Sequence, residues 1–263
     1  MTPQEEAMSI LKRREAYLNG LHVVYASGTH GEEYINKDAV LPYVRDTSRL
    51  CELGAAQVMA ADLRPQVVVV PVVGAVALGQ WHAYHLSNRL QQDVLAVYAD
   101  RVGEEVALRG DRDVLIRLGK TVIGTDGLER ITAIAELQAY IEAMETRPPH
   151  VDTFVLKRGY DNHVRGKRVL IGEDVINTGG SVSQTIQAVR DCGGMVVGVW
   201  GLVNRGGRTD KDLDVPWLKA LVNVQMDAWP EDEMPDWLKA RPVATHVGKG
   251  AQWLARQAGR TQS

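Results

Sequence analysis

Apolar residues along the chain follow two alternating periods. Val67 to Val73, VVVVPVV, is an unbroken and mostly β-branched run, which suits a parallel strand covered on both faces. Similar runs at Val94 to Ala99, Thr153 to Lys157, Arg168 to Asp174 and Met195 to Val203 predict further strands. Between them apolar positions recur every three or four residues, predicting helices over about Pro42 to Leu63, Ala75 to Leu90 and Ser181 to Asp191. Thr2-Pro3-Gln4-Glu5 is a capping box with proline at the first helical position, and Met8, Leu11 and Leu18 keep a helical period up to Gly20. His22 to Ser27 reads as a short strand ending in a turn at Gly28-Thr29-His30-Gly31. A hairpin or strand around Val114 to Val122, an amphipathic helix over Leu128 to Met144, a strand near Leu221 to Gln225 and a helix after Gly250 complete the pattern. Alternating strands and helices predict an α/β fold with a doubly wound, mostly parallel central sheet flanked by helices. No repeat, low-complexity tract or linker interrupts it, so residues 1–263 are expected to form one domain.

A chain of 263 residues that is 45% hydrophobic can bury a sizeable core without disulfide staples. The formal net charge of −3 gives no overall basic field, so neither nucleic acid nor a membrane surface is an expected partner. An anionic small molecule would need a local site. Cys51 and Cys192 stand outside any CxxC or Cys/His cluster and read as buried small hydrophobes. The opening stretch MTPQEEAMSILKRREAY is charged throughout, and Val67 to Gly79 is too short to span a bilayer. A cytoplasmic location is expected. His82 and His85 are spaced i, i+3 on a predicted helix with no third ligand, and read as ordinary helix residues.

The chemistry concentrates in Val169-Leu170-Ile171-Gly172-Glu173-Asp174-Val175-Ile176-Asn177-Thr178-Gly179-Gly180-Ser181. It reads as a buried strand with two adjacent carboxylates near its end, then a small-residue loop that opens a helix. Ligands of open α/β sheets bind at the carboxyl ends of strands. Backbone N–H groups, hydroxyls and a helix N-terminus suit a phosphate. The carboxylates suit sugar hydroxyls or a hydrated magnesium ion. Phosphate, diol and metal together describe a sugar phosphate.

The whole segment resembles the 5-phosphoribosyl 1-diphosphate signature of class I phosphoribosyltransferases. That resemblance implies that Glu173 and Asp174 hold the ribose hydroxyls and Mg2+, and that Asn177, Thr178, Gly179, Gly180 and Ser181 cradle the 5′-phosphate. Ala26 to His30 with Glu33 to Lys37 resembles the SGxxS…YxN region of orotate phosphoribosyltransferases, which implies base contacts from Ser27, Gly28 and Tyr34. Val70 to Gly79 is placed like the family's diphosphate loop, with Gly74 and Ala75 at its centre. Val203-Asn204-Arg205-Gly206-Gly207 resembles the strand end whose arginine, here Arg205, contacts orotate. The resemblance further implies transfer of a phosphoribosyl group to a nitrogenous base, a homodimer, and a small hood from residues 15–45 and 205–250. Residues 100–150 stand outside it as an insertion.

The chain departs from the family at its mobile cationic loop, an RKxxKxHG-like pattern. Its counterpart is Phe154 to Lys167, where Lys157, Arg158 and His163, with Arg165, supply the cations for the diphosphate. The position of the family's first arginine holds Leu156, that of its second lysine holds Tyr160, and the loop is shorter. Other acceptors, a purine or uracil, stay open, although asparagine at 177 is a poorer proton acceptor than the aspartate of purine enzymes. A non-catalytic sensor of the same sugar phosphate would be expected to carry a DNA-binding motif or a basic face, which this sequence lacks. A dehydrogenase of the Rossmann type would need a GxGxxG turn after its first strand, and none is present.

Overall fold

The computed structural model describes residues 1–102, 105–109, 113–117, 121–123 and 153–260. The helix expected over Leu128 to Met144 lies outside them. The chain opens with α1 (Pro3–Arg13), entered through the predicted capping box: Glu5 N–H donates to Thr2 Oγ1 at 3.2 Å and Thr2 N–H to Glu5 Oε2 at 2.8 Å. It ends well before Gly20. Glu15 adopts a left-handed φ of 54°, and the N–H groups of Glu15 and Ala16 turn back onto the carbonyls of Lys12 and Leu11. That is the C-terminal motif usually built on glycine, here built on a glutamate that gives no such signal.

Leu18 therefore belongs to a strand. β1 (Tyr17–Leu18) pairs antiparallel with β4 (Tyr34–Ile35), and β2 (Val23–Val24) with β3 (His30–Gly31). The strand expected over His22 to Ser27 is cut to two residues because Gly28, at φ 85°, closes a turn onto the Tyr25 carbonyl. The far end of the chain joins this small layer. His30 and Trp229 exchange backbone hydrogen bonds at 2.8 Å, and Val23, Tyr25, Ala244 and Val247 form a separate core.

The main body follows the predicted order. It runs α2 (Val44–Ala60), β5 (Val67–Pro71), α3 (Val76–Leu90) and β6 (Leu95–Val102). A three-stranded antiparallel sheet follows, β7 (Glu105–Arg109), β8 (Asp113–Arg117) and β9 (Thr121–Ile123). Then come β10 (Thr153–Val155), α4 (Tyr160–Val164), β11 (Arg168–Ile176), α5 (Gly180–Asp191), β12 (Met195–Asn204) and β13 (Leu218–Asn223). The chain closes with α6 (Asp236–Lys239) and α7 (Gly250–Arg260). The central sheet has the order β10-β6-β5-β11-β12-β13, and only β10, at one edge, runs antiparallel.

Both faces of the sheet are covered, as the unbroken apolar runs require. Val68, Val70, Leu170, Trp200 and Leu202 pack with α1, α2 and α3 in one core. Their sequence neighbours Val67, Val69, Val169, Ile171 and Val199 point the other way, onto Val182, Ile186 and Val189 of α5. Each such side chain contributes about 1.5–3 kcal/mol when fully buried. Cys51 and Cys192 are buried thiols, as expected.

His82 is a core residue of α3, 1% exposed, with its ring edge-on to Trp200 at 4.4 Å. Burial, aided by His85, pushes its pKa down to about 3. An unfolded imidazole takes up a proton below about pH 6.5, whereas this one stays neutral in the fold. The unfolded state thus binds more protons across that window, so stability is complete above about pH 6.5 and falls as pH drops. Buried His30, also pushed down, acts in the same direction. Thermal melts between about pH 5 and pH 7 should show this slope, and His82→Met should flatten it. An unchanged slope in that variant would show that His82 is not its source.

Candidate active site

The carboxyl edge of the sheet gathers four loops. Glu173 and Asp174 lie near the end of β11, where Glu173 pairs in register with Gly201 of β12. Glu173 is 6% exposed, and burial, reinforced by the neighbouring Asp174 charge, raises its carboxyl well above the usual range. Asp174 N–H donates to Glu173 Oε1 at 3.0 Å, and Val175 N–H donates to Asp174 Oδ1 at 2.6 Å. The second Asp174 oxygen, Oδ2, stands 2.8 Å from Lys37 Nζ. Two carboxylates of unlike character result, one held towards its neutral form and one ion-paired.

Asn177 to Ser181 bend at Gly179, which takes φ 85° and caps α5. Gly180 N–H donates to Thr178 Oγ1 at 3.4 Å, leaving a turn of small residues at a helix N-terminus. The loop after β12 braces this turn. Arg205 and Gly206 N–H groups donate to the Ile176 carbonyl at 3.0 and 3.1 Å, and Arg208 Nε donates to the Asn177 carbonyl at 3.3 Å. Gly206 lies so close to Asn177 that any Cβ there would run into its carbonyl oxygen.

The loop after β5 meets the acidic pair from the other side. Gly74 backs onto Lys37 Nζ and Asp174 Oδ2, and a Cβ at this position would collide with both. Ala75 is buried at the start of α3, so its backbone, not its side chain, borders the loop. Above the edge, the Arg205 guanidinium lies 4.6 Å from the centre of the Tyr25 ring. Tyr25 is itself buried and donates its hydroxyl to the Glu33 carbonyl at 2.7 Å. Burial raises its pKa despite Arg205. Ser27 and Gly28 form the exposed turn after Tyr25, with the Ser27 and Thr29 hydroxyls 2.8 Å apart. Tyr34 packs partly buried against the small core of the N-terminal layer.

The structure thus draws together Glu173, Asp174, the Asn177–Ser181 turn, Gly74 and Arg205. Among the described residues no contact joins Lys157, Arg158 or His163 to them. β10 pairs antiparallel with β6, so the chain beyond Val155 runs back along the outer edge towards the amino ends of the strands. Arg158 is ion-paired with Asp100 and lies over Tyr98, Tyr160 stacks edge-on to Tyr98, and His163 is exposed beside Tyr160. Val164 then packs against Gly194, before β12 begins. Lys37 and Tyr25 are the residues that the sequence pattern left without a role. Both lie in or next to the segments singled out, but only the fold carries them to Asp174 and Arg205. Among the described residues no three His, Cys, Asp or Glu side chains are grouped to hold a metal ion.

This arrangement, a parallel sheet whose β11–α5 turn carries an acidic pair and a small-residue loop at a helix N-terminus, is a class I phosphoribosyltransferase-like fold. The orotate phosphoribosyltransferase of Mycobacterium tuberculosis superposes with a TM-score of 0.51 at 18% identity, covering 84% of this chain and 96% of that one. No family model matches the sequence. In sequence the chain is similar to orotate phosphoribosyltransferases. That of Caulobacter vibrioides is 27% identical over 223 residues, 84% of this chain and 85% of the relative. That of Caldicellulosiruptor bescii is 28% identical over 237 residues, 90% of this chain and 93% of the relative.

Proposed function

We propose that the protein transfers ribose 5-phosphate from 5-phosphoribosyl 1-diphosphate to orotate, with release of diphosphate. The observation that carries this reading is the convergence on one sheet edge of Asp174, the glycine loop at Gly74 and the Thr178–Ser181 turn. A sugar bearing a phosphate at one end and a diphosphate at the other spans these three. The turn and the α5 N-terminus take the 5′-phosphate. Glu173 and Asp174 take the ribose hydroxyls, the raised Glu173 carboxyl serving as donor and Asp174 as acceptor.

The donor set fits magnesium. Mg2+ is commonly held by one or two carboxylates together with substrate phosphates, and Asp174, 13% exposed, offers such an oxygen beside the diphosphate loop. When bound, the ion neutralises the diphosphate leaving group. The chain's own task is placement: the new bond from C1 to the base nitrogen forms as the C1–O bond to diphosphate breaks, and no protein nucleophile is needed. Arg205, over the Tyr25 ring that precedes the Ser27–Gly28 turn, is the cation for the acceptor's carboxylate, and the N-terminal layer with the tail forms a hood over the base.

A homodimer goes with this reading. Tyr84 of α3 and Val44 of α2 are exposed, on helices tied together by the 2.9 Å His85–Ser48 hydrogen bond, and are open to a second copy. No described helix is long and apolar enough to cross a membrane, and the buried cysteine thiols suit a cytoplasmic location. The test is diphosphate release with Mg2+ and a panel of bases, on material sized by light scattering. Orotate should be the preferred acceptor and the active species a dimer. Turnover of a purine or uracil with none of orotate would overturn the acceptor, and a fully active monomer would overturn the dimer.

A further inference from the structure

We infer that Lys37 is a resident counter-ion of the diphosphate site, holding Asp174 while the site is free and turning to the diphosphate when substrate enters. The inference rests on the proposed phosphoribosyl transfer. Lys37 begins a single 3-10 turn, Lys37–Ala39, just after β4, yet its ammonium reaches the edge of the main sheet. There Nζ lies 2.8 Å from Asp174 Oδ2 and 3.1 Å from Asp38 Oδ1. The Asp38 carboxylate is 72% exposed and screened by water, so Asp174, 13% exposed, is the stronger partner.

Gly74 closes the other side. Its lack of a side chain is what lets the loop after β5 approach Nζ and Oδ2 together. The ammonium therefore stands between the acidic pair and the glycine loop, the two surfaces that a sugar diphosphate has to bridge. Lysine carries a compact charge with three donors on a flexible stem, and this one keeps 24% of its side chain exposed. It can turn from one anion to another without movement of the backbone.

A divalent cation and the Lys37 ammonium want the same Asp174 oxygen. Binding of diphosphate draws the ammonium away and leaves that oxygen to the metal. Lys37 should accordingly weaken binding of a metal alone and strengthen binding of diphosphate alone. A residue that merely supported the fold would move both affinities the same way.

The experiment compares wild type, Lys37→Met and Lys37→Arg, with inorganic diphosphate titrated in the calorimeter and Mn2+ followed by electron paramagnetic resonance. Lys37→Met should lose about 10- to 100-fold in diphosphate affinity, the equivalent of one charge-assisted hydrogen bond, and should bind Mn2+ more tightly than wild type. Lys37→Arg should keep Mn2+ binding as weak as in wild type. Unchanged or weaker Mn2+ binding in Lys37→Met, or unchanged diphosphate binding, would overturn the inference while the transfer reaction stood. Failure of the wild type to bind either diphosphate or 5-phosphoribosyl 1-diphosphate would overturn both.

Discussion

Asp174→Asn should lower turnover with orotate on the order of 100-fold or more while the fold survives. The substitution keeps the shape of the side chain and an oxygen for Val175 N–H, which now donates to Oδ1 at 2.6 Å. What it removes is the charge. Lys37 loses the partner at 2.8 Å, and on the proposed reading the ribose hydroxyls lose their anionic acceptor and the metal a carboxylate oxygen. Removing one partner of a charge pair leaves the other uncompensated, so the lysine is left facing the loop at Gly74 with only exposed Asp38 beside it. The side chain sits near the end of a strand anchored on both sides, by β5 and β12, so the backbone has no reason to move. Steady-state kinetics with both substrates varied would measure the loss, and circular dichroism would check the fold. A variant that turns over like wild type would remove Asp174 from the site.

Much of this arrangement is legible in the linear sequence, for identifiable reasons. A strand covered on both faces must be apolar at consecutive positions, so Val67–Pro71, Val169–Ile171 and Val196–Val203 announce a parallel sheet before any pairing is known. The acidic pair and the Thr178–Ser181 turn are contiguous, so their meeting at one strand end needs no tertiary information. What the sequence hides depends on direction and crossing. Thr153–Val155 reads equally well as a parallel or an antiparallel strand, because side-chain alternation is the same in both. Its antiparallel course turns the chain back after Val155, where Arg158 ion-pairs with Asp100 of β6. The segment that leaves β6 at Val102 and returns at Thr153 is the one that starts and ends on the site's side of the sheet. Lys37 and Gly74 meet only because the N-terminal layer folds over the sheet, a contact that no local pattern encodes. Glu15 shows the limit in miniature: a left-handed cap without glycine is invisible to propensity.

Arg205→Ala should raise the orotate requirement about 10- to 100-fold and leave uracil, a poor acceptor for the wild type, nearly unchanged. Orotate differs from uracil by a carboxylate, and a planar cation is the side chain that meets such a group with two parallel hydrogen bonds. Arg205 is held for that task from two directions. Its own N–H is fixed to the Ile176 carbonyl at 3.0 Å, which ties it to the strand bearing the acidic pair. Its guanidinium lies 4.6 Å from the centre of the Tyr25 ring, so one face is covered and the edge with its donors is left for an anion. Gly206, pressed against Asn177, prevents the loop from drifting outward. Loss of a charge-assisted hydrogen bond in such a place costs about 1.5–3 kcal/mol, which appears in KM when it acts on bound substrate and transition state alike. The rival explanation is that Arg205 only packs on Tyr25 and steadies the N-terminal layer. Its loss would then depress both acceptors equally, and Arg205→Lys, which keeps charge but not the planar fork, would restore little in either case. The orotate-to-uracil ratio is therefore the deciding measurement. A ratio that stays the same in Arg205→Ala would assign the arginine to packing and leave the acceptor's carboxylate to some other group.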